Sequence, residues 1–152
     1  MVDFENVFHM GIIVPNIESG MKEISSRFGV TWAEPVKPAT VPIVRTKEGI
    51  GSLSSRFVYS AEGPLWFELI EAVPGTVWAA QTSNIHHIGA FVDDIDAEVE
   101  RLLAEGNQLA MESLDENGNR SSACYINSEL NVRLEIFPSS GRENLMKAVG
   151  IS

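Results

Sequence analysis

Apolar residues recur along the chain in two rhythms, and the same order of rhythms occurs twice. A strand-like run, His9-Met-Gly-Ile-Ile-Val14, is followed by Ile17, Met21 and Ile24. A second run, His87-Ile-Gly-Ala-Phe-Val92, is followed by Ile95, Val99, Leu102 and Leu103. Spacings of three and four gather these later residues on one face of a helix. Asn16 and Asp94 stand where helix N-caps belong, and each helical pattern runs out at a glycine, Gly29 and Gly106. Three strand-like segments follow each helix. In the first half they cover about 41–46, 53–60 and 65–71, interrupted at Gly49/Gly51 and at Ala61-Glu-Gly-Pro64. In the second half they cover about 108–114, 121–126 and 131–137, and Asp115-Glu-Asn-Gly-Asn119 predicts a hairpin turn.

The two halves superpose as sequence. His9, Gly11 and Val14 fall on His87, Gly89 and Val92 at an offset of 78, and Ile17 then falls on Ile95. Phe67-Glu-Leu-Ile70 lies over Leu134-Glu-Ile-Phe137 at the shorter offset of 67, so the second half lacks residues, most plainly those matching Pro35–Pro42. The chain therefore reads as an α+β domain of two tandem βαβββ modules. Module one spans about 5–72, a connector 73–84, and module two about 85–138; a short helix is predicted at about 141–149.

Composition narrows the functional classes. At 152 residues, with 44% hydrophobic and 21% charged content, the chain can bury one domain-sized core. No apolar run approaches a membrane span, and the N-terminus carries no secretory pattern. The single cysteine, Cys124, reads as a small apolar strand residue, and a cytoplasmic location is the expectation. A net charge of −10, from 21 acids against 11 bases, argues against nucleic-acid binding, which depends on cations that neutralise phosphates. A small-molecule substrate is the expected partner.

Two of the three histidines occupy equivalent positions in the repeats, and so do two glutamates. If the modules pack as a pseudo-twofold pair, His9, Glu68, His87 and Glu135 converge from the first and last strands of both. Imidazole and carboxylate suit one divalent ion of the Zn, Co, Ni, Mn or Fe(II) group, and two carboxylates offset its charge. Strand alternation predicts that adjacent His86 and His87 point to opposite faces, so that only His87 enters the shared cup and His86 faces solvent or the module interface. Glu71, three residues from Glu68, falls on the opposite face from it. Trp66 and Ile70 flank Glu68 on the ligand face, and Arg133 and Phe137 flank Glu135. Trp66, Phe67 and Phe91 read as packing residues. A glutamate within Trp66-Phe-Glu-Leu-Ile70 needs a partner, because burying a lone carboxylate is costly.

The segments Phe8–Ile17, Phe67–Glu71, Ile85–Ile95 and Val132–Phe137 resemble the vicinal oxygen chelate superfamily, which includes glyoxalase I, methylmalonyl-CoA epimerase, extradiol dioxygenases and bleomycin-resistance proteins. The resemblance implies an open β cup around a metal held by His9, Glu68, His87 and Glu135, and commonly a homodimer. It implies that adjacent substrate oxygens chelate the ion while a carboxylate moves an α-proton, with Glu135 the first choice for that base and Glu68 the second. Three functions stay open. The first is an epimerase, isomerase or lyase of a carbon acid, nearer the epimerase branch. The second is an Fe(II) dioxygenase using His9, His87 and Glu135. The third is a sequestering module without chemistry. Segment 29–42 fits no single activity, and the cations Arg45, Lys47, Arg56 and Arg120 are scattered.

Overall fold

The computed structural model describes residues 1–128 and 133–151, the side chains of 122–124 excepted. The order is β1 (Val7–Val14), α1 (Ile17–Phe28), β2 (Lys37–Thr46), β3 (Gly49–Tyr59) and β4 (Trp66–Glu71), then β5 (Ile85–Val92), α2 (Ile95–Ala104), β6 (Gln108–Leu114), β7 (Arg120–Asn127), β8 (Arg133–Pro138) and α3 (Arg142–Val149). The expected α+β class and the repeated βαβββ order are both present. Positions 131–132 of the last predicted strand, and the side chain of Cys124, lie outside the described residues.

The helices begin and end for the reasons their sequences give. Asn16 Oδ1 accepts from the Ser19 amide at 2.9 Å, and Asp94 Oδ1 accepts from the Ala97 amide at 3.0 Å. α1 closes on Gly29 in the left-handed region, at φ 71°. α1 lays Ile17, Met21 and Ile24 against Val14, Val58 and Leu69; α2 lays Ile95, Val99 and Leu102 against Val92, Ile126 and Ile136. Each helix thus covers the outer face of its own module's sheet. Leu103, placed on the apolar face by its spacing, is instead 38% exposed.

All eight strands form one closed sheet in the order β1-β4-β3-β2-β6-β7-β8-β5. β1 and β5 meet antiparallel at the module boundary, and each pairs in parallel with the last strand of its own module. The resemblance implies an open cup; here the rim is joined where β2 meets β6, through Val44–Ser113 and Arg45–Glu112. Arg45 also reaches across this seam to the Glu112 carboxylate at 2.7 Å.

The first hairpin departs from the sequence reading. The residues from Lys37 to Pro42, expected as extra loop, form the first half of β2, so β2 and β3 run 10 and 11 residues against 7 and 8 in β6 and β7. Pro38 and Pro42 suggested a loop because proline removes a ladder donor. They are tolerated because β2 pairs with β6 only at Val44 and Arg45, and because the β2–β3 register slips between Val41 and Val44.

Both ends of the barrel are stoppered. At one end the connector inserts Trp78, 4% exposed, among Ile13, Val44, Leu53, Ile70, Met111 and Tyr125, and its indole N–H donates to Tyr125 Oη at 3.0 Å. At the other, α3 and the residues after it place Leu145, Met146, Val149 and Ile151 over Phe8, Tyr59, Trp66, Phe91 and Phe137. This gives the C-terminal helix the role that its sequence alone left open. Trp66 and Phe91 are packing residues as expected, and Phe67 packs on the outside against Phe28. Among the described residues, no helix is long and apolar enough to cross a membrane.

Candidate metal centre

His9, Glu68, His87 and Glu135 meet at mid-height in the barrel, each offering one ligand atom, with all four atoms within 4.8 Å of one another. β1, β4, β5 and β8 supply one residue each, so both modules contribute an imidazole and a carboxylate. All four are buried, the histidines almost completely. Glu135 Oε2 lies 3.0 Å from His9 Nε2 and 3.1 Å from His87 Nε2; Glu68 Oε2 lies 3.4 and 3.1 Å from the same atoms. Yet Oε2 of each carboxylate is without a hydrogen-bond partner among the described residues. Ion-pair distances without hydrogen-bond alignment mean that these atoms aim at a common point rather than at one another. The donor set fits a divalent cation: two borderline nitrogen ligands, two carboxylates, and buried oxygen atoms that nothing else satisfies.

The electrostatics agree. Burial by itself opposes charge on both imidazoles, but Glu135 and Glu68 outweigh it and raise the pKa values of His9 and His87. Burial likewise opposes ionisation of the two carboxylates, and the imidazoles overcome it, holding both below the usual carboxylate range. Without a cation the carboxylates favour protonation of the imidazoles, and a bound cation has to displace that charge.

The glycines that align in the repeat have a steric reason. A Cβ on Gly11 would stand 2.0 Å from His87 Cε1, and one on Gly89 would stand 1.9 Å from His9 Cε1. Each module's glycine therefore makes room for the other module's histidine. Gly89→Ala is expected to displace His9, to cost about 1–3 kcal/mol through overpacking, and to remove most bound metal. Elemental analysis and a melting curve check both parts, and a variant holding metal like the parent would refute the steric reading.

His86 does not face solvent. β1 and β5 change register between Gly11–His87 and Ile12–Ile85, so His86 is the extra residue of a β-bulge. The bulge breaks the simple alternation that the sequence suggested and brings His86 Nδ1 to 2.8 Å from His87 Nδ1. His86 Nε2 lies 2.7 Å from the Val77 carbonyl. Burial, then the charges of His87 and Arg133, push the His86 pKa down to about 3, so it stays neutral. One set of tautomers satisfies the contacts of His86 with His87 and Val77, and leaves Arg133 Nη1 facing His86 Nε2 as donor against donor. His87 Nδ1–H donates to His86 Nδ1, His86 Nε2–H donates to Val77, and His87 Nε2 keeps its lone pair for the centre. His9 has no equivalent. The repeat position of His86 is Phe8, whose ring meets the His9 ring edge-on, and His9 Nδ1 is without a partner among the described residues.

The residues missed by the sequence reading are Tyr59 and Tyr125, the chain's only two tyrosines. Tyr59 sits beside Glu68 across the β3–β4 ladder, and Tyr125 beside Glu135 across β7–β8. Burial, then the glutamate charges, raise both phenols well above their ordinary pKa, so both remain protonated O–H donors. Their offset of 66, nearly that of the two glutamates, was the available signal. Glu71 is directed to the opposite face, as alternation predicted, and holds Arg56 at 2.7 Å.

A sequence model described as the glyoxalase/bleomycin resistance protein/dioxygenase superfamily matches residues 8–125. The chain belongs to that superfamily. No curated protein sequence matches. Among solved structures, this superfamily member is similar to Mycobacterium tuberculosis methylmalonyl-CoA epimerase, at 16% identity and TM-score 0.58, covering 95% of this chain and 97% of that one. It is also similar to the Streptomyces coelicolor methylmalonyl-CoA epimerase in complex with 2-nitronate-propionyl-CoA, at 12% identity and TM-score 0.58, covering 89% and 97%. A 4-hydroxymandelate synthase variant from Streptomyces coelicolor matches at 12% identity and TM-score 0.56, covering 88% of this chain and 37% of that one. Likeness at such identities speaks to the fold.

Proposed function

We propose that His9, Glu68, His87 and Glu135 hold one divalent metal ion, and that the protein is an enzyme that enolises a small carbon acid, as an epimerase, isomerase or lyase. The observation that carries this reading is the convergence of two imidazole nitrogens with two otherwise unsatisfied carboxylate oxygens in a buried centre. When bound there, a divalent ion supplies Lewis-acid polarisation of a substrate carbonyl, which acidifies the neighbouring C–H. Glu135 then takes the α-proton and returns it, and Glu68, looser by 0.4 Å toward His9, is the second candidate. Tyr59 and Tyr125 hold O–H donors beside these carboxylates. The surrounding apolar residues exclude water, which strengthens each of these interactions.

The dioxygenase reading has less support, because Glu68 would occupy a position that catechol and oxygen need. A sequestering module has no use for four converging ligands. Solvent exchange separates the three. Protein loaded with Zn, Co or Ni is expected to exchange the α-proton of a suitable acyl-CoA or 2-oxo acid with deuterated water, without oxygen. Oxygen uptake with a catechol and no exchange across a thioester panel would move the assignment to a dioxygenase. Silence in both assays with tight small-molecule binding would move it to sequestration.

A further inference from the structure

The chain is acidic, and its arginines are mostly committed to carboxylates. Arg45 and Arg120 hold Glu112, Arg56 holds Glu18 and Glu71, and Arg101 holds Glu98 and Glu105. Arg133 differs. It is half-buried, at the start of β8, and has no carboxylate partner among the described residues. Its Nε donates to Asn127 Oδ1 at 2.8 Å, and its Nη1 donates to the Val77 carbonyl at 3.2 Å and touches His86 Nε2. The guanidinium carbon stands 5.7 Å from the Tyr125 ring centroid, over its face. These contacts fix the fork but leave Nη2, with its two N–H donors, without a partner among the described residues.

Arg133 lines a cleft of about 630 Å³ between the connector and the start of the second module, together with Gln81, Thr82, Ser83, His86 and Asn127. None of the described residues lining it is acidic. A half-buried guanidinium beside hydroxyl and amide groups, with Nη2 still free to donate, is a receptor for an oxyanion, since charge-assisted N–H donors pair strongly with carboxylate and phosphate oxygens. The net charge of −10 repels anions at long range, so such a site has to act at contact.

We propose that Arg133 anchors an oxyanion-binding site in this cleft, which takes the carboxylate or phosphate group of a small molecule. An anion seated there would lie in a cleft that His86 and His87 also line. The site does not require enolisation to be correct, and its test is separate from the exchange assay.

The probes are propionate and inorganic phosphate, titrated separately into the protein as purified and again after zinc loading. The readout is the Arg133 Nε–H resonance, identified by its loss in R133Q. Ligand-detected NMR measures affinity in the parent and variants. The expected result is a saturable shift of that resonance in both preparations, with affinity reduced about 10- to 100-fold in R133Q and less in R133K, while metal content is unchanged. Saturation by propionate alone assigns a carboxylate, and by phosphate alone a phosphate group. An unmoved resonance with both anions, or R133Q binding within twofold of the parent, overturns the proposal. If R133Q fails to fold, the shift in the parent and the R133K affinity decide it.

Discussion

His87→Ala is expected to reduce bound metal from about one ion per chain to background, whereas His86→Ala should weaken binding about 10- to 100-fold without abolishing it. The difference follows from the bulge: His87 directs Nε2 into the centre, and His86 only fixes the tautomer and tilt of that ring. In the parent protein, chelation should lower the melting temperature. Metal at one hundred times its dissociation constant contributes about 2.7 kcal/mol, or about 5–10 °C for a domain of this size. The effect should grow with pH. In the chelated protein, the raised histidine pKa values contribute stability that is fully present below the ordinary value of 6.5 and is lost as pH rises through the raised one, about 9 for His87. Over the same range metal has fewer protons to displace, so its affinity climbs. Isothermal titration of both variants at several pH values checks all of this. Equal affinity for His87→Ala and the parent would remove His87 from the ligand set. Parent-like affinity for His86→Ala would reduce the imidazole pair to packing.

The second large effect concerns the base. Glu135→Gln keeps the shape of the side chain and one oxygen, but cannot accept a proton. Loss of a positioned general base slows proton transfer by about 10²–10⁴-fold, so solvent exchange should fall by that factor while metal stays near one per chain. Glu68→Gln should lower exchange only in proportion to lost metal. The structure makes the pair a fair contest, because the Glu68 side chain is 11% exposed and that of Glu135 6%. The opposite pattern, exchange lost in Glu68→Gln with metal retained, would transfer the role of base to Glu68.

The convergence of the four candidate ligands was legible because a repeat doubles the signal. His9 and His87 mark each other, as do Glu68 and Glu135, and strand alternation separates Glu68 from Glu71 without knowledge of the fold. What escaped depends on contacts between segments that no local pattern records. Of the two placements expected for His86, the module boundary is met and solvent is not; its turn toward His87 escaped because a bulge in β5 is set by its pairing with β1, not by its own residues. The first half of β2 was read as loop because Pro38 and Pro42 forbid pairing only on a side that has little partner there. Trp78 sits in a connector without periodicity, and only the closed barrel gives it an end to fill. The two tyrosines were within reach, but an offset of 66 rather than 67 hid their kinship with the glutamates they accompany.

The exchange of space between Gly11 and His87, and between Gly89 and His9, constrains how this sequence can drift. Each glycine is read as a backbone choice in its own strand, yet the residue that forbids a side chain there belongs to the other repeat, 76 positions from Gly11 and 80 from Gly89. A side chain at either glycine is acceptable only alongside a smaller residue at the histidine that faces it. The halves of a duplicated chain ordinarily diverge independently; here two pairs of positions are bound to move together. A single ancestral module could have met that demand only against a second copy of itself, its glycine receiving the neighbour's histidine across a twofold axis.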